Sequence, residues 1–164
     1  MLALPLAALW MALPATAARS AEPAPTLRST PMQQATGEFD VQMKPQAEDK
    51  APSATRGRFT LEKTFRGALQ GTGRGEMLTA ISQTPGSAAY VAIERVEGVL
   101  DGRRGTFVLV HRGTMTRGAQ ALSVDVVPDS GTGELAGIEG SLAIEIRDRK
   151  HFYTLNYRLP ESTR

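Results

Sequence analysis

From Thr36 onward, apolar residues recur at every second position, and that period of two confines the chain to strands. Phe39, Val41 and Met43 alternate with Glu38, Asp40 and Gln42. Phe59, Leu61, Lys63 and Phe65 alternate with Thr60, Glu62, Thr64 and Arg66. Leu142, Ile144 and Ile146 repeat the pattern. The last run is the cleanest, with His151, Tyr153, Leu155, Tyr157 and Leu159 set against Phe152, Thr154, Asn156 and Arg158. No 3.6-residue apolar stripe of ten or more positions follows the N-terminal segment, which excludes a helical core.

Punctuation divides the alternating runs. Residues 46–57 read as a polar loop containing Pro52, and Gly71, Gly73 and Gly75 read as a turn before a strand over 76–82. Pro85-Gly86 precedes a strand over 88–99. Asp101-Gly102 is a hairpin dipeptide, because glycine takes the positive φ that such turns require. Strands over 106–112 and 122–126 follow, the latter ending at Pro128-Asp129. About eight short strands at regular spacing predict an all-β fold, a single closed antiparallel barrel. Closure removes the sheet edges and leaves room inside for side chains or one small ligand.

The N-terminal segment has a different character. Residues 1–18 are uncharged and apolar, and Ala15-Thr16-Ala17 has the small-x-small form of a signal-peptidase site. The run is short and broken by Pro5 and Pro14, so it does not suit a bilayer span. The expected organisation is a signal peptide over 1–21, a proline-bearing linker over 22–35 and the barrel over 36–160. The expected location is outside the cytoplasm, periplasmic or secreted.

Charge and cysteine content narrow the chemistry. There are 19 basic and 17 acidic residues, a net charge of +2, and the basic ones are scattered without an aromatic platform, which argues against nucleic-acid binding. The absence of cysteine excludes disulfides, thiolate metal sites and a catalytic thiol. No H-x-H or H-E-x-x-H spacing supports a metal site, and no motif calls for a cofactor. Gly131-x-Gly133-x-x-x-Gly137 lacks the spacing of a dinucleotide loop, and no helix pattern follows it. With Gly140 it reads as a turn and bulge where the barrel wall bends.

Several phrases, taken in order, carry a resemblance. They are Lys63 to Gly67 with Leu69 to Gly71, Tyr90 to Glu94 with Gly98, Gly102 to His111, Val126 to Gly140, and His151 to Tyr157. Together they resemble the bacterial domain-of-unknown-function family 3224, over residues 36 to 159. That family looks like the allene oxide cyclase barrel group, which includes the dirigent proteins. The resemblance implies a closed eight-stranded barrel with an inner cavity and implies no reaction. Met43 stands where the family pattern leads one to expect tryptophan.

Polar residues on apolar strand faces are the candidates for a site. Lys63 shares a face with Phe59, Leu61 and Phe65, and Glu94 shares one with Tyr90, Ala92 and Val96. His111 lies with Phe107 and Leu109, and His151 with Tyr153, Leu155 and Tyr157. If those faces point inward, Lys63, Tyr90, Glu94, His111, His151, Tyr153 and Tyr157 converge on the barrel interior. A buried charge there must be paired or neutralised. Three readings stand open: a module holding a small apolar or aromatic molecule, a cofactor-free isomerase or cyclase using a Glu/His/Tyr set, and a structural or homo-oligomeric barrel with a filled core.

Overall fold

The computed structural model describes residues 30–50 and 53–160, and the expected signal peptide lies outside them. Eight long strands carry the alternation: β1 (Gln33–Lys50), β2 (Ala54–Gly67), β3 (Leu69–Ser82), β4 (Ala88–Leu100), β5 (Arg103–Thr116), β6 (Ala119–Val126), β8 (Glu139–Arg147) and β9 (Lys150–Arg158). A two-residue strand, β7 (Thr132–Gly133), lies between β6 and β8 in sequence. Antiparallel pairing runs β1–β2–β3–β4–β5–β6–β8–β9 and returns to β1, so the sheet closes on itself. β7 adds to β5 through Gly105 and Thr106. Among the described residues no helix forms.

Two expectations about connections are corrected. Residues 46–50 and 54–57 belong to strands, not to a loop. β1 continues to Lys50 and pairs with β2 down to Lys50 opposite Thr55, beyond a bulge between Pro45 and Ala47. The polar residues there face water on both sides of a flared hairpin, so polarity does not mark the chain's departure from the sheet. Past Phe39, this stretch of β1 has β2 but not β9 beside it. Pro45, the bulge, Lys44, Glu48, Asp49 and Lys50 are devices that blunt an exposed edge. Gly71, Gly73 and Gly75 are likewise not a turn but three inward positions of β3. The chain reverses at Gly67 and Ala68 instead, where Gly67 has a φ of +106°.

The hairpin expected at Asp101-Gly102 is present, with φ values of 47° and 82°. It lies at one end of the barrel together with the β2–β3 turn and the loop after β6. The β1–β2, β3–β4, β5–β6 and β8–β9 connections lie at the other end. The first end is sealed. The segment after Val126, whose glycines the sequence placed at a bend in the wall, folds across this opening and inserts Leu135 and Ile138, which are fully buried with Leu69, Leu100, Phe107 and Tyr157. Ser130 Oγ accepts a hydrogen bond from Val108 N at 3.0 Å and donates to Val127 O at 2.7 Å, fixing the segment on β5. Gly133 and Gly137 hold φ values of 60° and 74°, which suit glycine.

Leu135 is therefore the stopper of this end. Leu135→Ala is expected to cost about 2–5 kcal/mol, the usual range for a buried leucine with little room to collapse. Urea unfolding would read it as a lower midpoint at unchanged slope. An unchanged midpoint would show that the segment covers the barrel without sealing it.

Candidate functional site

Cross-strand register locates the inner face. Lys63 on β2 is opposite Gly73 on β3, which is opposite Val96 on β4 and then Phe107 on β5. One step toward the open end, Leu61, Gly75, Glu94 and Leu109 form the next row. Phe59, Met77, Ala92 and His111 form the one after it. Lys63, Glu94 and His111 thus come from three strands and three rows, and all point inside.

They meet at one oxygen. Lys63 Nζ donates to Glu94 Oε2 at 2.6 Å, and His111 Nε2 lies 3.0 Å from the same atom. A carboxylate only accepts, so Nε2 carries the proton. Lys63 is 7 % exposed, His111 4 % and Glu94 0 %, so the cluster is withdrawn from water. Lys63 and Glu94 stand on strands separated by β3, and they reach each other because β3 presents glycines at this level. A Cβ at position 73 would overlap Glu94 Oε1. That oxygen has no hydrogen-bond partner among the described residues.

Electrostatics fix the charge state of Glu94. Burial pushes its carboxyl up, but the hydrogen bond from His111 and the charge and hydrogen bond of Lys63 outweigh burial and hold it below the ordinary 4.5. Glu94 is therefore a carboxylate at neutral pH.

The other sequence candidates occupy three different places. His151 is half-buried and stacks on Phe39 at 5.0 Å between centroids, and the Lys63 ammonium lies 4.8 Å from the centroid of that same ring. His151 thus adjoins the cluster through a ring. The Tyr153 ring meets Phe65 edge-on at 5.7 Å, and its hydroxyl accepts from Leu69 N at 2.8 Å. Tyr157 is deeper in the sealed end, and its hydroxyl donates to Asp101 at 2.7 Å. Burial and the Asp101 carboxylate push this phenol up to about 12. Both tyrosines tie the wall together. Tyr90 is at the opposite end, its ring lying over Gly113, its cross-strand partner. Gly131, Gly133 and Gly137 belong to the sealing segment, and Gly140, the second residue of β8, stands opposite Tyr157.

Sequence reasoning did not single out the open end. There the inward positions are Met43, Phe59, Met77, Thr79, Tyr90, Met115 and Ile146, all partly or largely exposed. Met43 is 56 % exposed and Ile146 65 %, although both stand on the face that is fully buried at the sealed end. A pocket of about 440 Å³ lies against the inner side of the β1–β2–β3 flare, lined by Pro45, Gly57, Phe59, Thr79 and Ile81 among others. The signal available in the sequence was glycine at 71, 73 and 75, every second position, which empties one strand face.

Comparison with known proteins now places the chain. The model of the family described as "Protein of unknown function (DUF3224)" matches residues 35–157. The chain belongs to the DUF3224 family. A crystal structure of a family protein of unknown function from Shewanella oneidensis MR-1 is 44 % identical in sequence. It superposes with a TM-score of 0.75, covering 80 % of this chain and 100 % of that one. None of the curated proteins matches. The family thus supports the barrel and leaves the role of its interior to chemistry.

The lowered Glu94 pKa has a stability consequence with a definite sign. Below about 4.5 the unfolded chain takes up a proton at Glu94 that the folded chain resists, so stability from this group is complete above that pH and is lost as pH falls through the folded value. Urea midpoints measured from pH 7 to pH 3 are expected to fall more steeply for the wild type than for Glu94→Gln. Parallel curves would mean that the carboxylate gains nothing from its partners.

Proposed function

We propose that this DUF3224 barrel is an exported binding module that takes one small, uncharged, apolar or aromatic molecule into its open end. The observation that carries this reading is the asymmetry of the interior. Inward side chains at one end are excluded from water by the Leu135–Ile138 stopper, while those at the other remain in contact with it. Leaving inward apolar surface wet costs about 25 cal/mol per Å², so a ligand that covers it gains that energy. Three methionines among these residues supply adaptable, polarizable contacts. The 440 Å³ pocket is of small-molecule size. The small-x-small site after an apolar leader supports export.

The same geometry weighs against the isomerase or cyclase reading that a likeness to the allene oxide cyclase group would suggest. A general base works best with a pKa near the working pH. Glu94 is held the other way, and its Oε2 is already bonded to Lys63 and His111. The cluster suits a fixed polar floor better than a proton carrier.

Binding of the neutral fluorophore N-phenyl-1-naphthylamine tests the proposal. Saturable binding is expected for the wild type and at least about a tenfold loss, or 1.4 kcal/mol, for Thr79→Trp, which fills the pocket from a half-buried inward position. The melting temperature of that variant should stay close to wild type. Equal binding by both proteins, or no saturable binding by the wild type, would overturn the reading.

A further inference from the structure

The outside of the barrel breaks the alternation rule across β3, β4 and β5. Outward positions of a sheet that faces water are ordinarily polar, yet Leu78, Val91, Ile93, Val108 and Val110 all point outward from β3, β4 and β5. They are contiguous: Leu78 is opposite Val91, and Ile93 is opposite Val110. Leu78, Val91 and Ile93 are each at least half exposed. They floor a groove of about 770 Å³ whose charged lining is Arg58, Arg74 and Arg95 against the single carboxylate of Glu76.

The arginines say what the groove suits. Arg74 and Arg95 are direct cross-strand partners, an arrangement that like charges disfavour unless an anion lies between them. Arg95 has Glu97 at 3.1 Å, whereas Arg74, with Glu62 opposite it on β2, forms no ion pair within 4.0 Å among the described residues. Arg58 is already bonded to Glu76, at 2.8 Å. The apolar floor begins beside the arginine pair, at Val108 opposite Arg95 and at Ile93 two residues along β4.

We propose that this outer face binds one molecule of an aliphatic carboxylate, its head between Arg74 and Arg95 and its chain along Ile93, Val91 and Leu78. The head receives two guanidinium partners in a charge-assisted arrangement, and the chain covers side chains that otherwise face water. The volume lies in the range of single small-molecule sites. This site is on the opposite side of the sheet from the barrel mouth and takes a charged ligand, where the mouth takes a neutral one.

Sodium dodecanoate below its micelle concentration is the probe, followed by methyl NMR of the full barrel at low salt. Saturable shifts are expected for Leu78, Val91, Ile93, Val108 and Val110. Affinity should fall at least tenfold in the Arg74→Gln/Arg95→Gln double variant, whose methyl spectrum reports that it is folded. It should fall similarly for dodecanol and should weaken as salt screens the head. Shifts confined to the Met43, Met77 and Met115 methyls would move the ligand into the mouth and overturn the proposal. Equal affinity for dodecanol, or unimpaired binding by the double variant, would remove the arginine pair from it. Light scattering showing a ligand-free dimer closed over Ile93, or binding to phosphatidylglycerol vesicles without binding to free dodecanoate, would assign the face to another occupant.

Discussion

The interior of this barrel is organised around a lysine and a glutamate that have left water together. Either charge alone would cost several kcal/mol in that position, and the pair is tolerable only with close geometry and further hydrogen bonds. The 2.6 Å contact between Lys63 and Glu94 supplies the first, and His111 the second. The contact crosses β3, so β3 must give up its side chains at that level, which Gly73 and Gly75 do. Phe39 and Phe65 then pack around the lysine, at 4.8 and 5.8 Å from ring centroid to ammonium, adding cation–π attraction in a dry setting. One unpaired oxygen, Glu94 Oε1, is the remaining cost of the arrangement.

This cluster also divides the barrel. Toward the stopper the rows fill with Phe107, Leu69, Leu100 and Tyr157, and Tyr153 and Tyr157 use their hydroxyls to bind the wall. Toward the hairpins the rows widen into Met77, Tyr90 and Met115, which stay partly exposed. The wall is tall from β1 to β5 and low at the β8–β9 hairpin, because β9 accompanies β1 only as far as Phe39. The barrel is thus dry at one end and accessible at the other, the asymmetry on which the proposed binding role rests.

Much of this was legible in the sequence. The period of two gave strands and strand number. The placement of Lys63, Glu94 and His111 on apolar faces pointed to three groups that do come together. Connections were harder. Residues 46–50 and 54–57 resemble a loop because strand ends wetted on both faces have no apolar side to betray them. Gly71, Gly73 and Gly75 resemble a turn because glycine marks both reversals and emptied strand faces, and only the contact of Lys63 with Glu94 across β3 distinguishes the cases. The separate places of Tyr90, Tyr153 and Tyr157 depend on which barrel end each row occupies, and that follows from three-dimensional stagger rather than from alternation.

The central claim is that Lys63 and Glu94 hold each other inside the barrel, and a double-mutant cycle on Lys63→Met and Glu94→Gln measures it directly. Each single change strands a buried group and is expected to cost about 3–5 kcal/mol in urea unfolding at pH 7, whereas the double variant should recover much of that loss. The expected coupling is at least about 2 kcal/mol, within the range found for residues in one buried network. Additivity to within about 0.5 kcal/mol, the behaviour of distant and independent sites, would contradict the account.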